Sequence, residues 1–284
     1  MNKEKIALLV DSGSDVPKDM VEKYNIYVAP LKIVYQDREY IDGLEITTEE
    51  VLNRLKEEIP TTSLPTGETI QSLFQQIKED GYEKVLAVTL SSGLSGTYNA
   101  IRLLAEQQDE LDIFVLDTKN ISIASGFNAI QAGEYIKEGL SFEELIEKVS
   151  ENIHQSKVYF TVDTLDYLRA GGRIGRVASI LGSRLNIRPI ISCNEEGIYY
   201  SVQKVRGQER SIQKAIDLAI KHLDGSESYN IGVVHAGAKE QANKIRDYLV
   251  KKLPNYEILV EGEISPVLSV HTGPGSIGIV AQSL

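Results

Sequence analysis

Short apolar runs and helical patterns alternate through the first half of the chain. The runs Ile6–Val10, Val85–Leu90 and Ile113–Leu116 are each followed by polar residues rich in Ser, Gly, Asp or Thr, and then by a pattern of helical period. A repeated order of buried strand, loop and helix indicates a parallel α/β sheet. Because ligands of such sheets bind at the carboxyl ends of the strands, the loops after these runs are candidate sites.

Several helices of this half have recognisable starts. Thr47-x-x-Glu50 and Ser141-x-x-Glu144 match the capping-box pattern, in which both side chains bond to backbone N–H groups. Another helix is entered at Pro17, and a long helical pattern extends from about Ile121 to Lys137. We expect the capping-box residues to serve their helices and not a binding site.

The pattern changes after about residue 157. A strand is predicted at Val158–Val162 and a short helix at Thr164–Ala170, before Gly171-Gly172 breaks the chain. A second helical stretch follows at Ile174–Leu185. No linker-like composition marks this change, so we expect the two halves to pack closely over a shared cleft.

The second half mixes helices and strands. The runs Ile187–Ser192 and Ile198–Val205 flank a Gly-containing loop and predict a hairpin. The remaining elements alternate: helices at about 209–223 and 239–252, and strands at 230–235, 257–261 and 279–281. We therefore predict an N-terminal parallel α/β domain of residues 1–156 and a C-terminal mixed α+β domain of residues 157–284.

Composition narrows the classes of function. The chain has 284 residues and a formal net charge of -11, from 30 Lys+Arg and 41 Asp+Glu, which disfavours nucleic acid as a partner. One cysteine, Cys193, excludes an intramolecular disulfide and a Cys-rich metal site, and its apolar neighbours predict a buried thiol. The N-terminal apolar run holds five residues, against roughly 7–15 in a secretory signal. We therefore expect a cytoplasmic protein.

The strongest local signal for a ligand is the segment Ser91–Tyr98, which reads Ser-Ser-Gly-Leu-Ser-Gly-Thr-Tyr between a strand and a helix. Free N–H groups at a helix start carry the positive end of the helix dipole, glycines let a ligand approach, and hydroxyls donate hydrogen bonds. This combination suits a phosphate or a carboxylate. No Lys follows the last Gly, so the segment is not a nucleotide-binding P-loop. Ser95 as a simple helix cap remains an alternative.

A second hydroxyl-rich segment, Pro60–Gly67, contains Thr61, Thr62 and Ser63 between two prolines. Proline restricts its own backbone and that of the preceding residue, so we expect a stiff loop that presets these hydroxyls. An ordinary lead into the next helix would give the same pattern.

The four histidines differ in context. His154 and His222 lie near predicted helix ends, where the helix dipole explains them. His235 ends a strand, and its role is open between structure and function. His271 opens the turn His-Thr-Gly-Pro-Gly-Ser, which could bring an imidazole to a cleft mouth. No zinc-binding spacing and no GxSxG nucleophile pattern occurs, so no metal site and no catalytic residue is predicted.

Four charged residues are weaker candidates. Arg173 lies between glycine-containing segments that leave its guanidinium unshielded, and Arg206 follows the predicted hairpin. Each suits an anion or a partner surface, although a solvated Arg explains both. Asp11 and Asp15 flank Ser-Gly-Ser, where turn and cap roles are expected in preference to a catalytic pair.

Taken together, six motifs resemble the DegV family of bacterial lipid-binding proteins. They are Asp11-Ser-Gly-Ser-Asp15, Thr61-Thr-Ser-x-Pro65, Leu90-Ser-Ser-x-Leu-Ser-Gly-Thr-Tyr98, Gly172-Arg-Ile174, Lys204-x-Arg206 and His271-x-Gly-x-Gly275. They span nearly the whole chain, and their specificity lies in their order because no single motif is very specific. Leu64 stands where many members have Gln, at a position to which we assign no chemistry.

The resemblance implies a two-domain DegV-like α/β fold that encloses one long-chain fatty acid between its domains and uses no other cofactor. Some members present the carboxyl group to a separate ATP-dependent kinase subunit, which resembles dihydroxyacetone kinases and makes the acyl phosphate. Carried over by motif, Thr62, Ser95 and His271 would bind the carboxyl group. Arg173 and Arg206 would lie near the cleft mouth and contact the kinase or the phosphate. Transient contact with a membrane is compatible with such a carrier.

Three functions therefore remain open. A fatty acid carrier without its own catalytic residues fits the lack of nucleotide, metal and nucleophile motifs. A phosphotransferase or phosphatase acting on a small phosphorylated substrate at the Ser92–Thr97 loop is the alternative. A regulatory protein whose bound lipid changes the affinity for a macromolecular partner is a third.

Overall fold

A computed structural model describes residues 2–180 and 187–284. The strands of the described residues are β1 (Ile6–Asp11), β2 (Ile26–Ala29), β3 (Lys32–Val34), β4 (Glu39–Ile41), β5 (Thr61–Ser63), β6 (Lys84–Thr89), β7 (Asp112–Asp117), β8 (Ser156–Thr161), β9 (Ile187–Cys193), β10 (Tyr199–Arg206), β11 (Tyr229–His235), β12 (Tyr256–Glu263) and β13 (Ile277–Ser283). Their α-helices are α1 (Lys18–Tyr24), α2 (Thr48–Arg54), α3 (Gly67–Glu79), α4 (Thr97–Ala105), α5 (Ser122–Glu138), α6 (Phe142–Asn152), α7 (Asp166–Ala170), α8 (Gln208–His222), α9 (Lys239–Lys252) and α10 (Pro266–Thr272).

The N-terminal half contains the predicted parallel sheet, with strand order β2-β1-β6-β7. Successive side chains of a strand point to opposite faces, so one apolar run contributes side chains to two apolar clusters, one on each face of the sheet. Leu9 faces α3 and α4, where it packs with Phe74, whereas Leu8 faces α5. Burial on both faces explains why these strands are continuous apolar runs in the sequence.

The C-terminal half forms a six-stranded mixed sheet of order β10-β9-β8-β13-β11-β12, in which only β11 and β12 pair in parallel. The predicted hairpin is confirmed as β9 and β10. Helices α8 and α9 pack against this sheet through a separate apolar cluster. The α/β fold class with a parallel first sheet and a mixed second sheet is therefore as predicted.

Helix α5 lies between the two large sheets and contacts both of them. Small residues on opposite sides allow this close packing: a Cβ on Gly126 would lie 2.5 Å from the carbonyl oxygen of Ser14, and one on Gly133 would overlap the ring of Tyr24. One continuous apolar cluster consequently extends from the parallel sheet through α5 to the second sheet.

A third, antiparallel sheet of order β4-β3-β5 was not predicted. The segment Pro60–Gly67, expected as a loop, contributes β5, which pairs with β3 and so fixes Thr62 opposite Ile33. His271, expected to open a turn, lies instead in the last turn of α10, and the glycine-rich turn follows that helix. Each of the three strands has three residues, too few to show an alternating pattern.

Of the other local predictions, the capping boxes and the buried cysteine are confirmed and one helix is wrong in part. The capping boxes at Thr47 and Ser141 are present, and Cys193 is buried. The helix predicted at Ile174–Leu185 is replaced over Gly175–Ile180 by a 3₁₀ helix, and the rest of that prediction lies outside the described residues. Among the helices that the structure describes, none combines the length and the apolar character that crossing a bilayer requires.

Candidate functional site

A cavity of about 160 Å³ lies where the loop after β6, strand β5, helix α10 and the residues after α7 meet. Four of the five residues singled out in the sequence line it: Thr62, Ser95, Arg173 and His271. We call this space the head cavity. Its walls come from segments far apart in the chain, so the fold and not local sequence brings the four side chains together.

Thr62 and His271 form the central polar pair of the head cavity. The Thr62 Oγ1 and His271 Nε2 atoms are 2.8 Å apart. Burial, with a smaller effect of the nearby Arg173 guanidinium, lowers the pKa of His271 to about 4. The imidazole is therefore neutral at pH 7, and it acts in the cavity as a hydrogen-bonding group and not as a cation.

Ser95 directly precedes Gly96, which is the N-cap of α4, so the interpretation of Ser95 as the helix cap is wrong, whereas its side chain faces the head cavity. Its Oγ accepts a hydrogen bond from the Thr97 N–H at 3.2 Å and lies 2.8 Å from Thr97 Oγ1. A hydroxyl has one donor and two acceptor positions, so the contacts with Thr97 leave capacity for a ligand. Of the two sequence interpretations of Ser95, its position therefore favours the ligand group.

Arg173 supplies positive charge to the same cavity. Its Nε donates to the carbonyl oxygen of Leu94 at 3.1 Å, and its Nη1 donates to that of Gly171 at 2.6 Å. These bonds fix a guanidinium that has further N–H donors to offer. The glycines around Arg173 do not leave it unshielded, as the sequence suggested, because its side chain folds back onto the wall of the cavity.

Two other sequence candidates lie elsewhere. Arg206 is the exposed last residue of β10 and does not line the head cavity. In the Ser92–Thr97 loop, Ser92 bonds to Asp117 through its N–H and to Lys119 through its hydroxyl, and Thr97 is fully buried. Only the middle of the loop therefore faces the cavity, so the loop does not surround a ligand as a phosphate cradle would.

A second, mostly apolar space lies beside the head cavity. A narrow cavity of about 20 Å³ shares Ile121 and Leu268 with it and lies between α5, α10 and the second sheet. Val158, Phe160 and Val234 form much of the far wall. We call this space the inner cavity; at about 20 Å³ it is far too small for an acyl chain, so a ligand entering it must displace side chains.

Several lining residues gave no signal in the sequence. Leu31, Leu268 and Tyr199 line the head cavity, but each is an ordinary apolar or aromatic residue in an apolar pattern. His235, left open in the sequence, is buried at the end of β11, and its Nδ1 accepts a hydrogen bond from the Ala238 N–H. Over residues 2–180 and 187–284, no group of three or more His, Cys, Asp or Glu side chains is placed to hold a metal ion.

The fold and this site define a class of α/β protein: a parallel sheet and a mixed sheet share a buried helix, and a cavity between their segments has a polar end and an apolar end. Residues 5–284 match the model of the DegV family, which is described as uncharacterised. The chain belongs to the DegV family.

Comparisons with individual proteins support the same family. A DegV domain-containing protein of Clostridium acetobutylicum is 45% identical over 278 residues, covering 98% of each chain. The solved structure of a DegV family protein from Thermus thermophilus, described as fatty acid binding, matches with a TM-score of 0.92 at 28% identity. That of Bacillus subtilis DegV, described as a fatty acid binding protein, matches with a TM-score of 0.91 at 29% identity. Both structural matches cover 100% of each chain.

Proposed function

We propose that this protein binds a long-chain fatty acid with its carboxyl group in the head cavity. The observation that carries the proposal is the convergence of Thr62, Ser95, Arg173 and His271 on one cavity that shares a wall with a mostly apolar one. Hydroxyl donors and a fixed guanidinium suit a carboxylate, and charge-assisted hydrogen bonds are the strong ones. The similarity to DegV proteins described as fatty acid binding supports the same ligand.

The acyl chain would run past Ile121 and Leu268 into the inner cavity. Burial of each methylene contributes about 0.8 kcal/mol, partly offset by the costs of association and of ordering the chain. Loading would widen the inner cavity by moving its side chains, and Leu268 and Ile121 are placed to move because each borders both spaces.

Mass spectrometry of organic extracts from freshly purified protein, together with its native mass, tests the proposal. We expect one long-chain fatty acid per chain, whose length and unsaturation the extract identifies. An empty protein that also fails to take up added palmitate would contradict the proposal and favour an enzyme that acts on a small phosphorylated substrate.

Ser95→Ala should weaken palmitate binding by roughly ten- to hundredfold, because a hydrogen bond to a charged group contributes roughly 1.5–3 kcal/mol. The substitution also removes the acceptor of the Thr97 N–H at the start of α4, so Ser141→Ala, which removes the acceptor of the Glu144 N–H at the start of the distant helix α6, is the matched control. Titration of both delipidated variants with palmitate should show weaker binding for Ser95→Ala alone. Equal affinities would remove Ser95 from the site.

We further propose that a separate ATP-dependent, dihydroxyacetone kinase-like subunit phosphorylates the presented carboxyl group. Arg206 is exposed and lies outside the cavity, where it is free to contact such a subunit. Arg173 lines the cavity, within reach of both the carboxyl group and an acyl phosphate. Its position supports a role in binding as well as in transfer. Catalysis would then belong to the partner, and this chain would act as the carrier.

Arg206→Ala should lower the rate of acyl-phosphate formation by the kinase and leave the dissociation constant of palmitate within about twofold, because the side chain does not line the cavity. Arg173→Ala should lower the rate of acyl-phosphate formation and also weaken palmitate binding. Lys251→Ala, which removes an exposed cation from α9, is the control for charge alone. An unchanged rate for Arg206→Ala would exclude Arg206 from the kinase contact.

A further inference from the structure

Three aspartates, Asp11, Asp15 and Asp42, line a separate cavity of about 530 Å³ and none of them lines the head cavity. Asp11 and Asp42 are buried and Asp15 is partly buried, and none of them forms an ion pair within the part of the chain that the structure describes. Burial raises the pKa of Asp11 and of Asp15 to about 7, and that of Asp42 to about 6. Buried carboxylates without a counter-ion are costly. Hydrogen bonds to these carboxylates must therefore offset part of the free-energy cost of burying them.

Two of the three carboxylates hold the first turn of α10. Asp15 Oδ1 accepts a hydrogen bond from the Ser265 N–H at 3.0 Å, and Asp42 Oδ1 accepts one from the Val267 N–H at 2.8 Å. The contacts join residues 250 and 225 positions apart in the chain. The N–H groups of a first helical turn have no partner within the helix, so these carboxylates fix where α10 begins.

The same helix carries His271, one turn after Val267. Residues four apart lie on the same side of a helix, so a shift or rotation of the first turn is passed directly to the imidazole. The pair with Thr62, at 2.8 Å, tolerates little displacement before the hydrogen bond is lost.

Hydrogen bonds of Asp11 and Asp42 also extend toward the segments that carry Thr62 and Ser95. Ser12 donates to Asp42 Oδ2 at 2.6 Å and accepts from the Leu31 N–H at 3.0 Å, directly before β3, the strand that pairs with Thr62. Asp11 Oδ2 accepts from the Leu90 N–H at 2.7 Å, directly before the loop that carries Ser95. The cluster thus binds the backbone at the start of α10, before β3 and before the loop that carries Ser95.

From these contacts we infer that Asp15 and Asp42 are positioning residues of the carboxyl-binding site, which act by holding α10 so that His271 meets Thr62. The inference rests on the proposed function. The sequence alone explained the Asp11-Ser-Gly-Ser-Asp15 motif as a turn. On this inference the motif also supports ligand binding, although it does not touch the ligand.

The test compares Asp42→Ala with Asn230→Ala in the full chain at pH 8. Asn230 is a matched control because it is buried in the second sheet and its Oδ1 also accepts a backbone N–H, that of Ile258. We expect Asp42→Ala to weaken palmitate binding at least tenfold and Asn230→Ala to leave it unchanged, at similar losses of melting temperature. Asp42→Asn keeps one acceptor for the Val267 N–H and should restore most of the affinity.

A second readout does not depend on the lipid. In a ¹⁵N spectrum of the imidazoles, with His271 assigned by comparison with His271→Gln, Asp42→Ala should move the pKa of His271 upward toward its ordinary value. If wild-type protein does not bind palmitate, the proposed function fails while this readout still decides the inference. An unchanged pKa of His271 together with an unchanged affinity for palmitate would mean that Asp42 only stabilises the fold. If Asp42→Ala does not fold, Asp15→Asn is tested in its place.

Discussion

Replacing Gly171 with Ala should reduce the affinity for palmitate by roughly tenfold or more without unfolding the protein. A Cβ at this position would overlap Nδ1 of His271 and lie 2.7 Å from its Cε1 atom. The ring must therefore move, and the hydrogen bond with Thr62 is lost or distorted. The backbone of Gly171 is right-handed, with φ -77° and ψ -2°, so alanine itself is tolerated there.

Titration of delipidated protein with palmitate measures this effect, and Gly67→Ala is the control. Gly67 is also a glycine without positive φ, and its Cβ would make only an ordinary contact at 3.9 Å with Leu104. A double-mutant cycle sharpens the test: in a His271→Ala background the added Cβ meets no ring, so Gly171→Ala should have little further effect. Equal losses in both backgrounds would show that Gly171→Ala acts through something other than His271.

The large sheets could be predicted from the sequence, whereas the small one could not. Strands such as β1 and β6 are buried on both faces and therefore appear as apolar runs between helices. Strands β3, β4 and β5 have three residues each and burial patterns that differ from strand to strand, so they carry no periodic signal. We retain residues 1–156 and 157–284 as the proposed domains, although α10 packs against α2 and β3 of the first half.

Four residues that line the candidate site could be named from the sequence, whereas their arrangement could not. Motifs in family order indicated Thr62, Ser95 and His271, but the contact of Thr62 with His271 joins residues 209 positions apart. Such a contact depends on where α10 packs, and no spacing in the sequence encodes that. Leu268 and Tyr199 were missed for a related reason: their apolar character is explained equally well by an ordinary core.

Gly197→Ala should be the most destabilising single substitution considered, by about 3 kcal/mol. Gly197 has φ +75°, in the left-handed region, at the turn of the β9–β10 hairpin. A Cβ there would also overlap Oγ of Ser91, which is fully buried. That hydroxyl donates to the Gly197 carbonyl at 2.8 Å and accepts from the Gly93 N–H at 3.1 Å, so the hairpin of the second sheet is bound to the loop that carries Ser95.

Urea unfolding of Gly197→Ala and Gly225→Ala separates the two causes. Gly225 has φ +88° but a Cβ there would meet nothing within 4 Å, so its substitution measures the backbone cost alone, about 1–2 kcal/mol. The remaining loss in Gly197→Ala reports the contact with Ser91, and removing that hydroxyl in Ser91→Ala/Gly197→Ala should recover part of it. Because the displaced loop also carries Ser95, palmitate affinity should fall in Gly197→Ala and not in Gly225→Ala. Equal destabilisation by the two single substitutions would mean that the hairpin contact contributes nothing to stability.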